Sequence, residues 1–402
     1  MTVEATKHFR QECSTTQPHQ HLPRLNEFVG KVMSSTRQQN YAGPLLFFDK
    51  SRLLDNYRHF RTVLPHIDIH YAVKCLPDKD VLKTLFKAGS RFEIASKGEL
   101  ALLLSMGVNP QQILYSNPIK SPAYIHYAAQ QGVEWYAIDS LDELHKIAAI
   151  KADAKLYLRI HTSNKGSLWP LEGKFGAHQN DIEEILITAS TRNINLLGVT
   201  FHVGSQCLNP DNWRKGIISA KHVFVQMEKL GLKPQLLNIG GGFPVNISKN
   251  SPSIEEIANI INQEIKNLSP DISVVAEPGR YLVASAGCLV CRVVGTATRS
   301  GQRWLYLDSG VYTGLMEMAK GFPYPIVSER KGLFSDWNIA GPTCDSIDVC
   351  RKKAQLPSDL HSDDFIYILS AGAYTVCCAS NFNGFKKPKL VFLDNIPKAI
   401  EI

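Results

Sequence analysis

The sequence predicts an α/β fold in two parts, a (β/α)8 barrel followed by a smaller, mainly β domain. Three observations predict it. Eight short β-branched or aromatic runs alternate with amphipathic helical runs between residues 67 and 277; parallel strands need such crossovers, and eight of them close into a barrel. Past Ala286 the helical periodicity gives way to short strand-like runs separated by turn residues. No G-x-G-x-x-G follows the first strand, which disfavours the open doubly wound sheet that the same alternation would also allow.

Residues 1–22 are polar and rich in Gln, His and Thr, and are expected to form a flexible arm without the apolar core of a signal peptide. Leu25, Phe28, Val29, Val32 and Met33 then fall at helical spacing. The run 44–49 is a short strand candidate, and 51–64 a helix opened by a Ser51 cap. The barrel strands are predicted at 67–74, 91–95, 113–117, 135–139, 156–161, 197–203, 236–239 and 274–277. Helical runs at 78–88, 97–106, 122–131, 141–150, 180–190, 213–230 and 253–268 separate them. Four strand-like runs (289–295, 303–307, 365–369 and 389–393) mark the second domain. The expected boundaries are 45–285 for the barrel and 286–402 for the β domain, joined by a strand from within 23–50.

Composition excludes several classes. At 402 residues, 44% hydrophobic and 20% charged, the chain has the make-up of a globular protein with sizeable cores. Its net charge of +7 is modest and scattered, so Arg330-Lys331 and Arg351-Lys352-Lys353 are expected on a solvated face rather than in a nucleic-acid patch. No run approaches the roughly 20 apolar residues that span a bilayer. Nine cysteines without scaffold spacing point to a reducing compartment, and the expected location is the cytoplasm. Cys288 and Cys291, a lone C-x-x-C inside a strand, would face opposite ways and are read as buried thiols rather than zinc ligands.

The unusual polar residues gather at the C-terminal ends of the predicted barrel strands. Lys74 ends the first, Glu93 lies in the second, Arg159 in the fifth and His202 in the sixth. Gly240-Gly241-Gly242 closes the seventh and Glu277-Pro278-Gly279-Arg280 the eighth. In a barrel these converge on one mouth, the face where such enzymes build their sites. Taken singly, each has a structural explanation, such as an ion pair, a satisfied core histidine or a tight turn. Together they supply an amine able to form a Schiff base, glycines that let backbone N–H groups approach an anion, and a guanidinium suited to phosphate. A buried glutamate could keep a pyridine nitrogen protonated. That set suits pyridoxal phosphate.

The motifs Tyr71-Ala72-Val73-Lys74, Ala95-Ser96-Lys97-Gly98-Glu99, His202-Val203-Gly204-Ser205, Gly240-Gly241-Gly242-Phe243-Pro244 and Glu277-Pro278-Gly279-Arg280-Tyr281 resemble those of the barrel-type (fold type III) pyridoxal phosphate-dependent decarboxylases of basic amino acids. Gly341-Pro342-Thr343-Cys344-Asp345-Ser346, Ala371-Gly372-Ala373-Tyr374-Thr375 and Phe382-Asn383-Gly384-Phe385 continue the resemblance. It runs from about residue 40 to 395 and is greatest to the ornithine decarboxylases, particularly the short bacterial ornithine/lysine type. The resemblance implies an alanine racemase-like architecture, a head-to-tail homodimer and decarboxylation of L-ornithine to putrescine in polyamine biosynthesis. Lysine, 2,4-diaminobutyrate or another diamino acid is the alternative substrate, and a non-catalytic regulator like the antizyme inhibitors the alternative role.

Position by position, the resemblance implies that Lys74 holds the cofactor, Glu277 pairs with the pyridine nitrogen and His202 stacks on the ring. Ser205, Gly240 to Gly242, Gly279, Arg280 and Tyr374 would hold the phosphate, with Arg159 and Glu93 lining the pocket. The partner subunit would contribute Cys344, as the acid that protonates the α-carbon, and Asp345, which binds the substrate's distal ammonium, with Phe382 lining the same pocket. The segment 161–175 matches a mobile loop. At Asp308-Ser309-Gly310-Val311-Tyr312 the chain departs from the Asn-Asp-Gly-Val-Tyr of the eukaryotic enzymes, so a contact of Asp308 or Ser309 with substrate is expected but substrate length stays open.

Overall fold

The computed structural model describes residues 21–248 and 250–395; most of the predicted arm, residues 1–20, lies outside the described residues. The chain divides into two compact units. The barrel unit comprises Leu54–Pro244 and Pro252–Tyr281, and the β unit takes the described residues up to Leu53, those within Val245–Ser251 and those from Leu282 onward.

The first elements, the helix His21–Gln38 and strand β1 (Leu45–Phe48), belong to the β unit. The helix Lys50–Val63 follows, and its cap is Asp49 rather than the predicted Ser51. Asp49 Oδ1 accepts from the backbone N–H groups of Ser51 and Arg52, which a carboxylate before the first turn does well.

In the barrel unit, strands β2 (Asp68–Ala72), β3 (Arg91–Ile94), β4 (Ile113–Tyr115), β5 (Trp135–Ile138) and β6 (Lys155–Arg159) are followed by β7 (Ser167–Trp169), β8 (Leu196–Thr200), β9 (Ser205–Cys207), β10 (Leu236–Asn238) and β11 (Ser273–Ala276). Eight of these close a parallel barrel in the order β10-β11-β2-β3-β4-β5-β6-β8. Leu114, Ala137, Tyr157, Leu236 and Val275 fill its interior, each at most 4% exposed. The returning helices start on side-chain caps, Asp78, Ser96, Ser121, Ser140 and Ser253 among them. Each cap contributes about 1 kcal/mol and fixes where its βα loop ends.

Most strands stop earlier than predicted. Lys74 does not close β2 but sits on the 3-10 turn Val73–Cys75 beyond it, while Ala72 N–H donates to the carbonyl of Pro278. His202 lies two residues past β8, and Glu277 one residue past β11. The apolar residues that continued the predicted strands are buried in the turns above the barrel instead. The predicted loop 161–175 also contains ordered structure, because β7 pairs antiparallel with β9.

The β unit contains a sheet of eight strands. Beyond β12 (Gly287–Arg299) and β13 (Gln302–Leu307) come β14 (Ile326–Ser328), β15 (Phe334–Ala340), β16 (Val349–Pro357), β17 (Phe365–Leu369) and β18 (Lys389–Phe392). β1 pairs antiparallel with β12 and parallel with β18. Its core joins Phe28 and Val32 of the first helix to Leu45, Phe47, Cys288, Val290, Tyr367 and Leu369. β14, β15 and β16 were not legible in the sequence. β16 carries Arg351-Lys352-Lys353, whose polarity masked the strand; Lys352 and Lys353 are exposed, but Arg351 donates from Nη1 to the Tyr324 carbonyl and from Nη2 to the Phe322 carbonyl. Arg330 pairs with Asp364 through its Nε, so neither arginine is merely solvated. Among the described residues, no helix is long and apolar enough to cross a membrane.

Candidate active site

The barrel mouth collects six of the predicted polar residues. Lys74 Nζ lies 2.5 Å from Glu93 Oε2; the lysine side chain is 43% exposed, whereas Glu93 is 1% exposed on β3. Burial works against charge on Lys74, but Glu93 and then Glu277 outweigh it and raise its pKa above the ordinary lysine range. Behind them Glu99 accepts from Ala95 N–H at 2.6 Å, and burial followed by the Glu93 charge pushes its pKa up to about 7.

Glu277 is buried, with Oε1 receiving Ser116 Oγ at 2.5 Å and Asn238 Nδ2 at 2.6 Å. Ser116 in turn shares a 2.7 Å contact with the Tyr157 hydroxyl. Burial and the neighbouring Glu93 raise the Glu277 pKa, against the pull of Lys74. His202 Nδ1 accepts the N–H of Gly204 at 3.1 Å, so that nitrogen is unprotonated. Burial, then Arg159 and Lys74, lower the His202 pKa and keep the ring neutral. Arg159 ends β6 with its guanidinium 5.2 Å from the Phe175 ring centroid.

At the same mouth, Arg280 donates from Nε and Nη2 to Ser205 Oγ at 3.3 and 3.2 Å. The glycine triplet runs beside this pair. Gly240 and Gly242 have φ of +65° and +94°, and a Cβ at either would run into a neighbouring carbonyl, that of Phe201 or of Gly204. A Cβ at Gly279 would lie 3.0 Å from the side chain of Cys75. The chain is therefore drawn in to leave a side-chain-free rim beside a guanidinium, the shape an anionic group needs.

Within the β unit a second cluster forms around Asp345. Its Oδ2 accepts the Tyr312 hydroxyl at 2.5 Å and its Oδ1 the Ile347 N–H at 3.0 Å. These bonds lower its pKa. Tyr312 packs on Phe382 with ring centroids 4.5 Å apart, and Cys344 Sγ lies 3.4 Å from Asn383 Oδ1. The buried carboxylate of Asp348 ties the two turns together, accepting from Val311 N–H on one side and from Thr343 N–H and Oγ1 on the other. Tyr374, also in this unit, is half-buried at φ +57°, a backbone state that side chains adopt at a cost.

Asp308 and Ser309 face elsewhere. Ser309 is fully buried, its hydroxyl donating to the Thr313 carbonyl. Asp308 accepts from Arg292 N–H at 2.9 Å and from Tyr41 Oη at 2.8 Å. Burial pushes its pKa up to about 6.

The family model for the pyridoxal-binding domain of pyridoxal-dependent decarboxylases matches residues 50–284. The chain belongs to the pyridoxal-dependent decarboxylases. It is 38% identical over 346 residues to the ornithine decarboxylase of Schizosaccharomyces pombe, covering 82% of this chain and 79% of that protein. Among solved structures it is similar to the lysine/ornithine decarboxylase of Vibrio vulnificus complexed with cadaverine, at 34% identity and a TM-score of 0.83, covering 91% of this chain and 98% of that one. A viral arginine decarboxylase, from Paramecium bursaria Chlorella virus and bound to agmatine, aligns at 29% identity and a TM-score of 0.85, covering 90% of this chain and 99% of that one.

Sequence reasoning missed the residues that hold this decarboxylase's polar groups in place. Ser116, Asn238, Tyr312, Asn383 and Asp348 are small or neutral side chains, or a lone carboxylate, next to turns. In sequence such residues look like ordinary caps. The one usable signal was position, since Ser116 and Asn238 fall at the ends of predicted strands.

Proposed function

We propose that this decarboxylase acts on a basic amino acid, L-ornithine first, releasing carbon dioxide and putrescine for polyamine synthesis. The observation that carries the proposal is Asp345. It is a single carboxylate beside the exposed Phe382 ring, with each oxygen already accepting one bond. Each oxygen keeps a second lone pair, so the carboxylate can still take the far cation of a basic amino acid. The likeness to the Schizosaccharomyces pombe ornithine decarboxylase favours a diamino acid over arginine. Lysine is the alternative supported by the likeness to the Vibrio vulnificus enzyme, and 2,4-diaminobutyrate presents the same far end. Asp308 and Ser309, turned into the β unit, take no part in reading it.

The barrel mouth fits pyridoxal phosphate. The glycine rim with Arg280 and Ser205 suits the phosphate, and the buried Glu277 suits a pyridine N–H. In this proposal Lys74 carries the cofactor, which when bound supplies an electron sink for the bond that breaks at the α-carbon. Glu277, held by Ser116 and Asn238, keeps the ring nitrogen protonated. Neutral His202 offers its flat face without adding charge, and Tyr374 adds a hydroxyl to the phosphate. Lys74 must shed a proton before its amine can attack, and Glu93, 2.5 Å away, is in place to take it. Arg159 lines the pocket.

Cys344 delivers a proton to the α-carbon once carbon dioxide has left. Cys344 and Asp345 come from the partner subunit of a cytoplasmic homodimer. The test is purified protein with pyridoxal phosphate, offered a panel of L-diamino acids and arginine, with carbon dioxide measured and the amine identified. Release of putrescine, cadaverine or 1,3-diaminopropane is expected; agmatine alone, or no release, overturns the reading.

A further inference from the structure

The segment between β6 and the helix Gln179–Thr191 has no part in the chemistry above, yet it is fastened with unusual completeness. Asn164 is 4% exposed, and every polar atom of its side chain is engaged. Its Nδ2 donates to the carbonyls of Thr162 at 3.1 Å and His202 at 3.0 Å, and its Oδ1 accepts Leu171 N–H at 2.8 Å. The Asn164 N–H also bonds the carboxylate of Glu172. Further along, Ser167 Oγ donates to the Val203 carbonyl at 2.5 Å. β7 pairs with β9 so that Trp169 stands opposite Ser205.

These contacts land on residues 202 to 205, the stretch that carries both His202 and Ser205. Between them Gly204, at φ +88°, lets the strap lie so close that a Cβ there would be 2.6 Å from Ser167 Oγ and 2.8 Å from Asn164 Oδ1. Ser205 then receives Arg280. A single strap thus fixes the backbone from which the ring-facing imidazole and the phosphate-facing hydroxyl both project.

We propose that Asn164 is a positioning residue for the cofactor site. Through the His202 carbonyl it couples the order of residues 162–172 to the placement of His202 and Ser205, so that docking of this strap and cofactor binding are one equilibrium. The inference rests on the assignment of His202 and Ser205 to pyridoxal phosphate. A buried amide whose donors lose their acceptors is costly, so the strap has two states, docked with Asn164 satisfied or lifted with it in water. A ligand that needs His202 and Ser205 in register favours the first.

The experiment strips the cofactor from wild-type protein and from Asn164→Ala and Asn164→Asp, then titrates pyridoxal phosphate back by its absorbance. It also follows limited proteolysis of residues 161–176 and thermal unfolding of the stripped protein. Asn164→Asp keeps an acceptor for Leu171 but loses both donors. The expected result is a dissociation constant about tenfold higher in both variants, with unchanged melting of the stripped forms. In wild type the cofactor should protect the strap from cleavage, and in the variants this protection should be largely lost. Wild-type affinity in either variant overturns the proposal, as does a melting temperature that falls in step with affinity. Wild-type protein that does not bind pyridoxal phosphate overturns the cofactor reading and this proposal with it.

Discussion

The barrel mouth and the Asp345 cluster hold equally reactive groups in opposite conditions. At the mouth, Glu93, Glu277 and Arg280 are buried, and side chains from other βα segments meet each of them. In the β unit, Cys344 and Phe382 are exposed, and Asp345 is held mainly by one hydroxyl and one backbone N–H. The difference teaches a division of labour. On the proposed function, the part that would hold a phosphate and a ring in one pose is built rigid in advance, whereas the groups proposed to meet the substrate stand at a surface.

Four substitutions break or sharpen that contrast. Lys74→Ala has the largest expected effect, with loss of the bound-cofactor absorbance and of essentially all turnover; a fully active variant would refute the assignment. Glu277→Gln should lower kcat on the order of 10²–10³-fold, the range seen when one preorganised electrostatic contact is removed, while the cofactor still binds; absorbance and steady-state rates measured side by side separate the two. Asp345→Asn should leave cofactor absorbance untouched and raise KM for a diamino acid on the order of tenfold to a hundredfold, as for a lost charged hydrogen bond. An altered cofactor spectrum there would erase the division between the two regions. Tyr312→Phe removes only the bond that orients Asp345, and KM is expected to rise a few-fold with kcat nearly constant.

A fifth prediction concerns stability rather than rate. Burial lifts the Asp308 pKa from the ordinary aspartate range to about 6. A carboxyl with a raised folded pKa holds its proton more tightly when folded, so its contribution to stability falls as pH rises through the window from about 4 to about 6. Denaturant titrations of wild type and Asp308→Asn across that window should show the wild type losing ground to the variant with rising pH. Parallel curves would contradict the shift.

The barrel and the place of Lys74 at its mouth were legible because period and chemistry agreed. Alternating strands and helices gave the topology, and Lys74, the glycines and Glu277 fell where the mouth had to be. Strand ends were misjudged where apolar residues run on into buried turns, as at Val73 and Val203. The β domain was half legible, since β16 hides its alternation behind Arg351-Lys352-Lys353. Asp308 and Ser309 were assigned by alignment to a motif, and only packing reveals that both face Tyr41, Arg292 and Thr313. The hydrogen-bonding helpers, Asn164 and Asn238 above all, have no period and no charge, so their importance exists only once the fold brings their partners to them.

β1 has a consequence for how the chain is made. It pairs with β12 and with β18, so this early strand meets its first neighbour only after the barrel has been translated and its second about a hundred residues later still. The whole barrel is synthesised in the interval and can fold locally while Leu45–Phe48, four consecutive buried apolar residues, has no edge to join. During translation those residues are a ready substrate for chaperones. A chain cut short before Lys389 would leave β1 with one open side, an invitation to pair with a neighbouring molecule instead.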